Sequence, residues 1–196
     1  MSIVKLNNQG VKNATAFGSI TGLGSMTLIK KLTASSSSTL SFVDGASSVV
    51  LDNTYKEYVF TFKDIHPSGD DVVFSFQAST DGGSNYNTTA TTTFFRAQHR
   101  ENDSATALSY ETAHDEAQTT GFIDIDASIG NDSDQSTSGI LHLFNPSSTT
   151  FVKHFLSKSN SIFSSDGTSN TFVGGYFNTT SGINAVQFKF ASGNID

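Results

Sequence analysis

Apolar side chains alternate with polar ones along several short stretches, and this alternation constrains the fold more than any other feature of the chain. In the clearest stretch, residues 55–64, the alternation places Tyr58, Phe60 and Phe62 on one side. Residues 72–78 repeat the pattern. A period of two is that of a β-strand, because successive side chains of a strand point to opposite faces. The sequence therefore predicts an all-β protein.

Residues typical of turns divide these stretches into about ten predicted strands. The predicted strands are 26–32, 39–43, 55–64, 72–78, 88–96, 121–127, 139–145, 150–156, 170–178 and 183–191. Between them, 101–107 has the composition of a loop, and 110–118 is either a short helix or an irregular strand. Turns at roughly every 8–15 residues are typical of an antiparallel β-sandwich, and we predict a jelly-roll-like one. A closed up-and-down barrel is the structural alternative.

The composition indicates a core built on phenylalanine. Only 36% of the 196 residues are hydrophobic and Trp is absent, but 17 residues are Phe. Disordered chains are usually poor in aromatic residues, so an aromatic content of 11% favours an ordered domain. The length suits one domain, which we place at residues 26–196.

Charge and cysteine content exclude several classes of function. The net charge is −7 and the pI is near 5.0, which disfavours nucleic acid and anionic membrane surfaces as partners. The absence of cysteine excludes disulfides, thiolate metal sites and Cys nucleophiles. No secretory signal and no apolar run of membrane-spanning length is evident, so we expect synthesis in a cytoplasm without export by the usual route.

Residues 1–25 differ from the rest and are predicted to form an extended N-terminal docking arm. Ile3, Val4, Leu6 and Phe17 are spread through a stretch rich in Gly, Asn, Ser and Thr. Such a stretch is too short to fold alone, and its apolar residues need a surface to bury them. The alternative is a frayed terminus, which is common in domains.

Two groups of residues have the chemistry of metal ligands. His142 and His154 would face each other if the hairpin between them closed symmetrically, but no third ligand is evident, so we interpret them as a plain cross-strand pair. Asp124, Asp126 and the loop 131–136 supply oxygen atoms of the kind that calcium prefers. Their spacing matches no EF-hand, and the sequence leaves open whether this loop binds a cation.

No motif indicates an enzyme, and we predict neither a catalytic residue nor a cofactor. The chain contains no Gly-x-Ser-x-Gly elbow and no phosphate-binding Walker loop. One loop does have the residues of a glycan site, since Asp81, Asn85, Tyr86 and Asn87 combine an aromatic ring with amide and carboxylate groups. The alternative for this loop is a surface turn with one Tyr packed at its edge.

Four stretches together resemble structural proteins of marine tailed bacteriophages, including cyanophages. These stretches are residues 3–9, 74–86, 143–148, and 183–188 together with 192–195. The resemblance covers most of the chain, but its motifs are turns, strand edges and an arm. The relatives continue into a further strand of the Gly-Thr-Ile-Lys-Leu-Tyr-Gly type, and we expect the predicted last strand to lack a partner on one side.

The resemblance implies a non-enzymatic virion protein, assembled in the host cytoplasm. The leading expectation is a tail fibre or tail-associated appendage that binds other virion proteins through its arm. It would form a homo-oligomer, with a trimer favoured, and contact a host surface glycan. The first alternative is a head decoration protein, and the second is a carbohydrate-binding module. A glycan-degrading enzyme ranks behind these.

Overall fold

A computed structural model describes residues 26–196 and confirms the all-β prediction. Within these residues there are ten strands and no helix. The strands are β1 (Leu40–Val43), β2 (Glu57–Ile65), β3 (Val72–Ser79), β4 (Ala90–Arg100), β5 (Thr106–Tyr110), β6 (Ile123–Ile129), β7 (Thr137–Phe144), β8 (Lys153–Phe163), β9 (Gly167–Phe177) and β10 (Ala185–Phe190). All pairings between strands are antiparallel. The predicted arm at 1–25 lies outside the described residues.

The ten strands form two layers that pack face to face. One layer has the order β1-β10-β3-β6, and the other has the order β2-β7-β8-β9-β4-β5. A single pair, Ile129 of β6 with Phe163 of β8, continues the hydrogen bonding from one layer to the other. The layers enclose one apolar core, so the architecture is a β-sandwich.

The strand order is that of a jelly roll with one added hairpin. A jelly roll arises when a long antiparallel hairpin wraps around a core, so that early strands pair with late ones. Here β1 pairs with β10, β2 with β7, β3 with β6 and β4 with β5. The β8–β9 hairpin is inserted between β7 and β4 and widens the second layer to six strands.

Phenylalanine fills the core, as the composition predicts. Phe188 lies at its centre, with its ring 6.0 Å from that of Phe74 and 6.1 Å from that of Phe76. Phe76 in turn contacts Phe155 of the opposite layer edge to face, at 5.0 Å. Such aromatic pairs contribute about 0.5–1.5 kcal/mol each beyond the burial of their area. The core therefore joins the two layers through ring contacts rather than through aliphatic packing alone.

Two predicted segments differ from the structure. Residues 26–32 form no strand, because no neighbouring strand pairs with them, and Met26 and Leu28 are largely exposed. Within the stretch predicted to be a loop or helix, β5 forms instead at Thr106–Tyr110, since β4 offers it a free edge. The residues on either side of β5, 101–105 and 111–118, are turns and irregular chain with no helix.

β8 and β9 extend farther toward the turn that joins them than the sequence predicts. The prediction stopped early because the inward positions near this turn carry hydroxyls rather than apolar groups. Ser157, Ser159 and Ser161 of β8 are buried, and so are Ser169 and Thr171 of β9. A pattern of polar residues on both faces gives no alternation signal. These residues extend the sandwich with a polar end to its core.

The last strand, β10, is paired on both sides. β1 occupies one of its edges and β3 the other. The expectation that it would lack one partner was therefore wrong, because the first strand of the sandwich returns to lie beside the last.

Candidate functional site

The outer face of the six-stranded layer carries large apolar side chains where a sandwich normally presents polar ones. Leu108 and Tyr110 of β5 are 78% and 51% exposed, Leu156 of β8 is 56% exposed and Phe95 of β4 is 42% exposed. Phe172 of β9 lies among them and is half-buried. Because side chains alternate along each strand, all five point away from the core. We call this surface the outer apolar face.

An ordered row of side chains crosses the outer apolar face from strand to strand. Residues in register place Lys158 beside Phe172, Phe172 beside Phe95, and Phe95 beside Tyr110. The rings of Phe95 and Phe172 are nearly parallel, with centroids 5.1 Å apart. The Lys158 ammonium lies 5.2 Å from the centre of the Phe172 ring, a cation–π contact. The row is thus a rigid aromatic surface with one cation at its end.

An apolar hollow continues this surface at the β7–β8 connection. Its volume is about 510 Å³, and Phe144, Phe151 and His154 are among the residues that line it. The side chain of Phe151 is 68% exposed. His154 also packs against Tyr176 of β9, with ring centroids 6.1 Å apart. His154 precedes Leu156 by two positions on β8, so the hollow adjoins the outer apolar face.

Polar contacts at the rim hold the aromatic side chains in place. The Tyr110 hydroxyl donates a hydrogen bond to a carboxylate oxygen of Asp115 at 2.6 Å, and this bond raises the pKa of Tyr110. At the opposite edge of the layer, His142 Nδ1 lies 2.5 Å from the Glu57 carboxylate oxygen Oε1. The His142 ring also stacks on that of Phe144. Exposed apolar side chains held in this way lose little conformational freedom on binding a partner.

The two histidines predicted to form a cross-strand pair are not opposite each other. His142 faces Leu156, because the register of β7 and β8 is shifted by two residues from a symmetric hairpin. His154 pairs instead with Tyr176 of β9. The predicted pairing was wrong because the β7–β8 connection is longer than the sequence indicates.

The Asp-rich segment splits into groups with separate environments. Asp124 is hydrogen-bonded to the His114 ring at 2.8 Å, whereas Asp126 lies wholly inside the sandwich. Asp132 and Asp134 are exposed in the following loop. Within residues 26–196, no three His, Asp or Glu side chains stand close enough together to hold a metal ion.

In the candidate glycan loop, the Asp81 carboxylate binds groups of its own turn. Asp81 accepts hydrogen bonds from the Ser79 hydroxyl at 2.6 Å and from the Asn85 side chain at 2.7 Å. These bonds lower the pKa of Asp81 to about 2. Tyr86 folds back so that its hydroxyl lies over Gly83, while Asn87 is exposed. The Asp81 carboxylate is therefore already occupied by bonds within the turn.

The other predicted site residues, Ile3, Val4, Leu6 and Phe17 of the docking arm, lie outside the described residues. The outer apolar face, by contrast, was missed by the sequence reasoning. A signal for it exists in the pairs Phe94-Phe95 and Phe155-Leu156, where neighbouring residues are both apolar. Neighbours point to opposite faces of a strand, so such a pair indicates that both faces are apolar.

Comparison with protein-family models, with curated proteins and with solved structures finds no match to this chain. Within residues 26–196, no helix is long and apolar enough to span a membrane.

Proposed function

We propose that the protein is a non-enzymatic structural component of a bacteriophage virion, a tail fibre or tail-associated appendage, which assembles with other virion proteins. The observation that carries the proposal is the outer apolar face. Exposed apolar surfaces of this kind mark sites of protein contact, because monomeric proteins seldom leave large contiguous ones in water. Phe and Tyr are also enriched in protein interfaces relative to the rest of the surface.

The free energy gained by burying the outer apolar face indicates how strong an association this face can support without other contacts. Complete burial of a Leu or Phe side chain contributes about 1.5–3 kcal/mol. The exposed parts of Phe95, Leu108, Tyr110 and Leu156 would together supply roughly 3–7 kcal/mol. Loss of translational and rotational freedom on association costs about 4–15 kcal/mol. The face alone gives at most weak association, so stable attachment needs a second contact.

The docking arm at residues 1–25 supplies that second contact in the proposal. Two weak contacts on one chain reinforce each other, because the first raises the effective concentration for the second. The resemblance to structural proteins of marine tailed phages supports a particle as the place of assembly, with a homo-oligomer, a trimer above all, as the assembled form. A head decoration protein is the alternative, since it too would bind through an apolar face and an arm.

The test is incorporation into phage particles of variants with a polar outer apolar face. Phe95→Ser and Leu108→Ser together should lower incorporation at least tenfold, measured by immunoblot of purified virions. Met26→Ser with Leu28→Ser is the matched control, since it removes two exposed apolar side chains elsewhere. Thermal unfolding of both proteins verifies the fold. Incorporation of the Phe95/Leu108 variant at the level of the control would contradict the proposal.

Imaging separates the tail from the head. Gold-labelled antibody against the folded domain should decorate the tails of intact virions under the leading form of the proposal. Decoration confined to the capsid would replace it with the head decoration role.

A further inference from the structure

The inner face of β4 is buried at Phe94, but farther along the strand Gln98 and Arg100 are only partly covered. β6 is the last strand of the four-stranded layer, and it lies mainly over β8 and β9 rather than over β4. At one end of the β4–β5 hairpin, the chain at 111–122 fills the gap, with Glu111 bound to Arg96 at 3.1 Å. At the other end no segment of the described chain covers it, and a crevice remains between β4–β5, β6 and the β8–β9 turn.

The crevice has the size of a single sugar ring. Its volume is about 290 Å³, which is at the lower limit of small-molecule sites. Gln98 and Arg100 of β4 form one side. Ser128 of β6 and Ser164 of the β8–β9 turn form the other, and the Phe163 ring lies beneath the Arg100 guanidinium at 5.9 Å. A longer oligosaccharide would project into solvent from this site.

The polar groups of the crevice are available to a ligand. Of the two arginines in the chain, Arg96 is engaged by Glu111. Among the described residues, no carboxylate lies within ion-pair distance of the Arg100 guanidinium. A guanidinium presents donors in a planar fork that matches a carboxylate. Arg100 is therefore the natural recognition group of this site.

The backbone around the crevice is strained at two positions. Ser128 has φ of 63° and Asp71 has φ of 53°, and both residues line the crevice. Left-handed backbone at residues other than glycine costs free energy and concentrates at binding sites. The register of β3 and β6 also shifts beside Val72, as in a β-bulge, a feature common next to functional sites.

We propose that this crevice binds a carboxylate-bearing sugar unit of hexuronic acid type. The ligand carboxylate would pair with the Arg100 guanidinium. Gln98, Asp71 and the serine hydroxyls would hydrogen-bond its hydroxyl groups, and the methyl groups of Ala105 and Ala107 would contact its C–H faces. The site is separate from the outer apolar face, and the inference does not depend on the assembly role.

The test compares two ligands that differ only in the carboxylate. Methyl glucuronide and methyl glucoside are titrated into the ¹⁵N-labelled full chain, with amide shifts as the readout. Methyl glucuronide should give saturable shifts at residues around the crevice, with methyl glucoside binding at least about tenfold more weakly. Arg100→Gln should lower the affinity for the glucuronide about tenfold or more and leave the affinity for the glucoside unchanged. Arg100→Lys keeps the positive charge but lacks the planar fork of donors, so its affinity for the glucuronide should lie between those of wild type and Arg100→Gln.

Lys158→Gln is the matched control, because it removes one positive charge from the outer apolar face. It should leave glucuronide affinity unchanged. The inference is overturned if the glucuronide gives no saturable shift, if both sugars bind equally, or if Lys158→Gln weakens binding as much as Arg100→Gln. Incorporation of Arg100→Gln into virions should equal wild type, so failure here is distinguishable from failure of the assembly proposal.

Discussion

Asp126 is the residue whose environment differs most from that of an ordinary side chain of its type. Its carboxylate lies inside the sandwich and accepts hydrogen bonds from Thr137, Ser161 and Thr171, one on each of β7, β8 and β9. Burial raises the pKa of Asp126, and these hydrogen bonds oppose the rise only in part. Asp126 links β6 of one layer to three strands of the other.

The raised pKa of Asp126 makes the free energy of unfolding depend on pH. The folded protein holds the proton more tightly than the unfolded chain, in which the pKa is near 3.8. The free energy of unfolding must therefore fall as pH rises from that value through the folded pKa. Asp126→Asn mimics the protonated acid and should be more stable than wild type at neutral pH, with the difference disappearing in acid.

Urea unfolding of wild type and Asp126→Asn across a series of pH values measures this difference. Asp126→Ala is the comparison variant. It leaves three buried hydroxyls without their acceptor and should be about 1–3 kcal/mol less stable than Asp126→Asn at every pH, because neither variant titrates at this position. A pH-independent difference between Asp126→Asn and wild type would show that the carboxyl does not titrate differently in the folded state.

At the scale of the element, two adjacent glycines of β9 lie on opposite faces of the six-stranded layer. An added Cβ at Gly175 would lie 2.6 Å from the Thr91 carbonyl oxygen and 2.7 Å from the Phe155 ring. At Gly174 the nearest atom, a methyl of Leu156, would be 3.3 Å away. The inner face thus requires glycine for the close approach of β4 and Phe155, and the outer face does not.

Gly175→Ala should therefore destabilise the protein by about 1–3 kcal/mol, the usual cost of overpacking a core. Gly174→Ala, one residue away, should stay within about 0.5 kcal/mol of wild type or gain slightly, because the flexible Leu156 can move. Urea unfolding of the two variants gives the comparison directly. Equal losses would mean that the cost lies in the strand backbone rather than in the inner packing.

The elements also show where sequence patterns succeed. β2 and β3 were predictable, because their inward positions are Phe, Tyr, Val and Ala in strict alternation. The full length of β8 was not, because its inward residues 157, 159 and 161 are serines. Ser161 donates to Asp126 and Ser159 to the carbonyl of Ile125, both on β6, which is remote in sequence and reaches these serines only when the layers meet.

At the scale of the whole molecule, the first and last strands of the sandwich lie side by side. Leu40 of β1 pairs with Phe188 of β10, and the Phe42 ring packs edge to face on that of Phe188. The layers therefore close only after residues far apart in sequence have met. All-β folds with such distant pairings form slowly, on the millisecond to second scale.

This closure predicts different outcomes for two N-terminal truncations. A chain beginning at Met26 should fold with the stability of the full chain, because the ten strands and their core lie within 26–196. A chain beginning at Gly45 lacks β1, exposes one edge of β10 and should be strongly destabilised. Thermal unfolding followed by circular dichroism measures both. A large loss in the first truncation would show that residues 1–25 contribute to the fold.

The first truncation also bears on the docking arm. Because it leaves the sandwich intact, any loss of virion incorporation would come from the missing contact rather than from unfolding. Incorporation at the full-chain level would contradict the arm as an attachment element.

The sequence by itself determined most of the strands and the phenylalanine core, because alternation and side-chain volume act locally. The turn at Asp81 was equally local, since its hydrogen bonds join residues only a few positions apart. Only the tertiary structure decided that β1 returns to β10, that β8–β9 widens one layer, and that Asp126 is buried. The outer apolar face and the Arg100 crevice were also decided by the tertiary structure. Each is made of residues from strands that are distant in sequence and become neighbours only when the layers form.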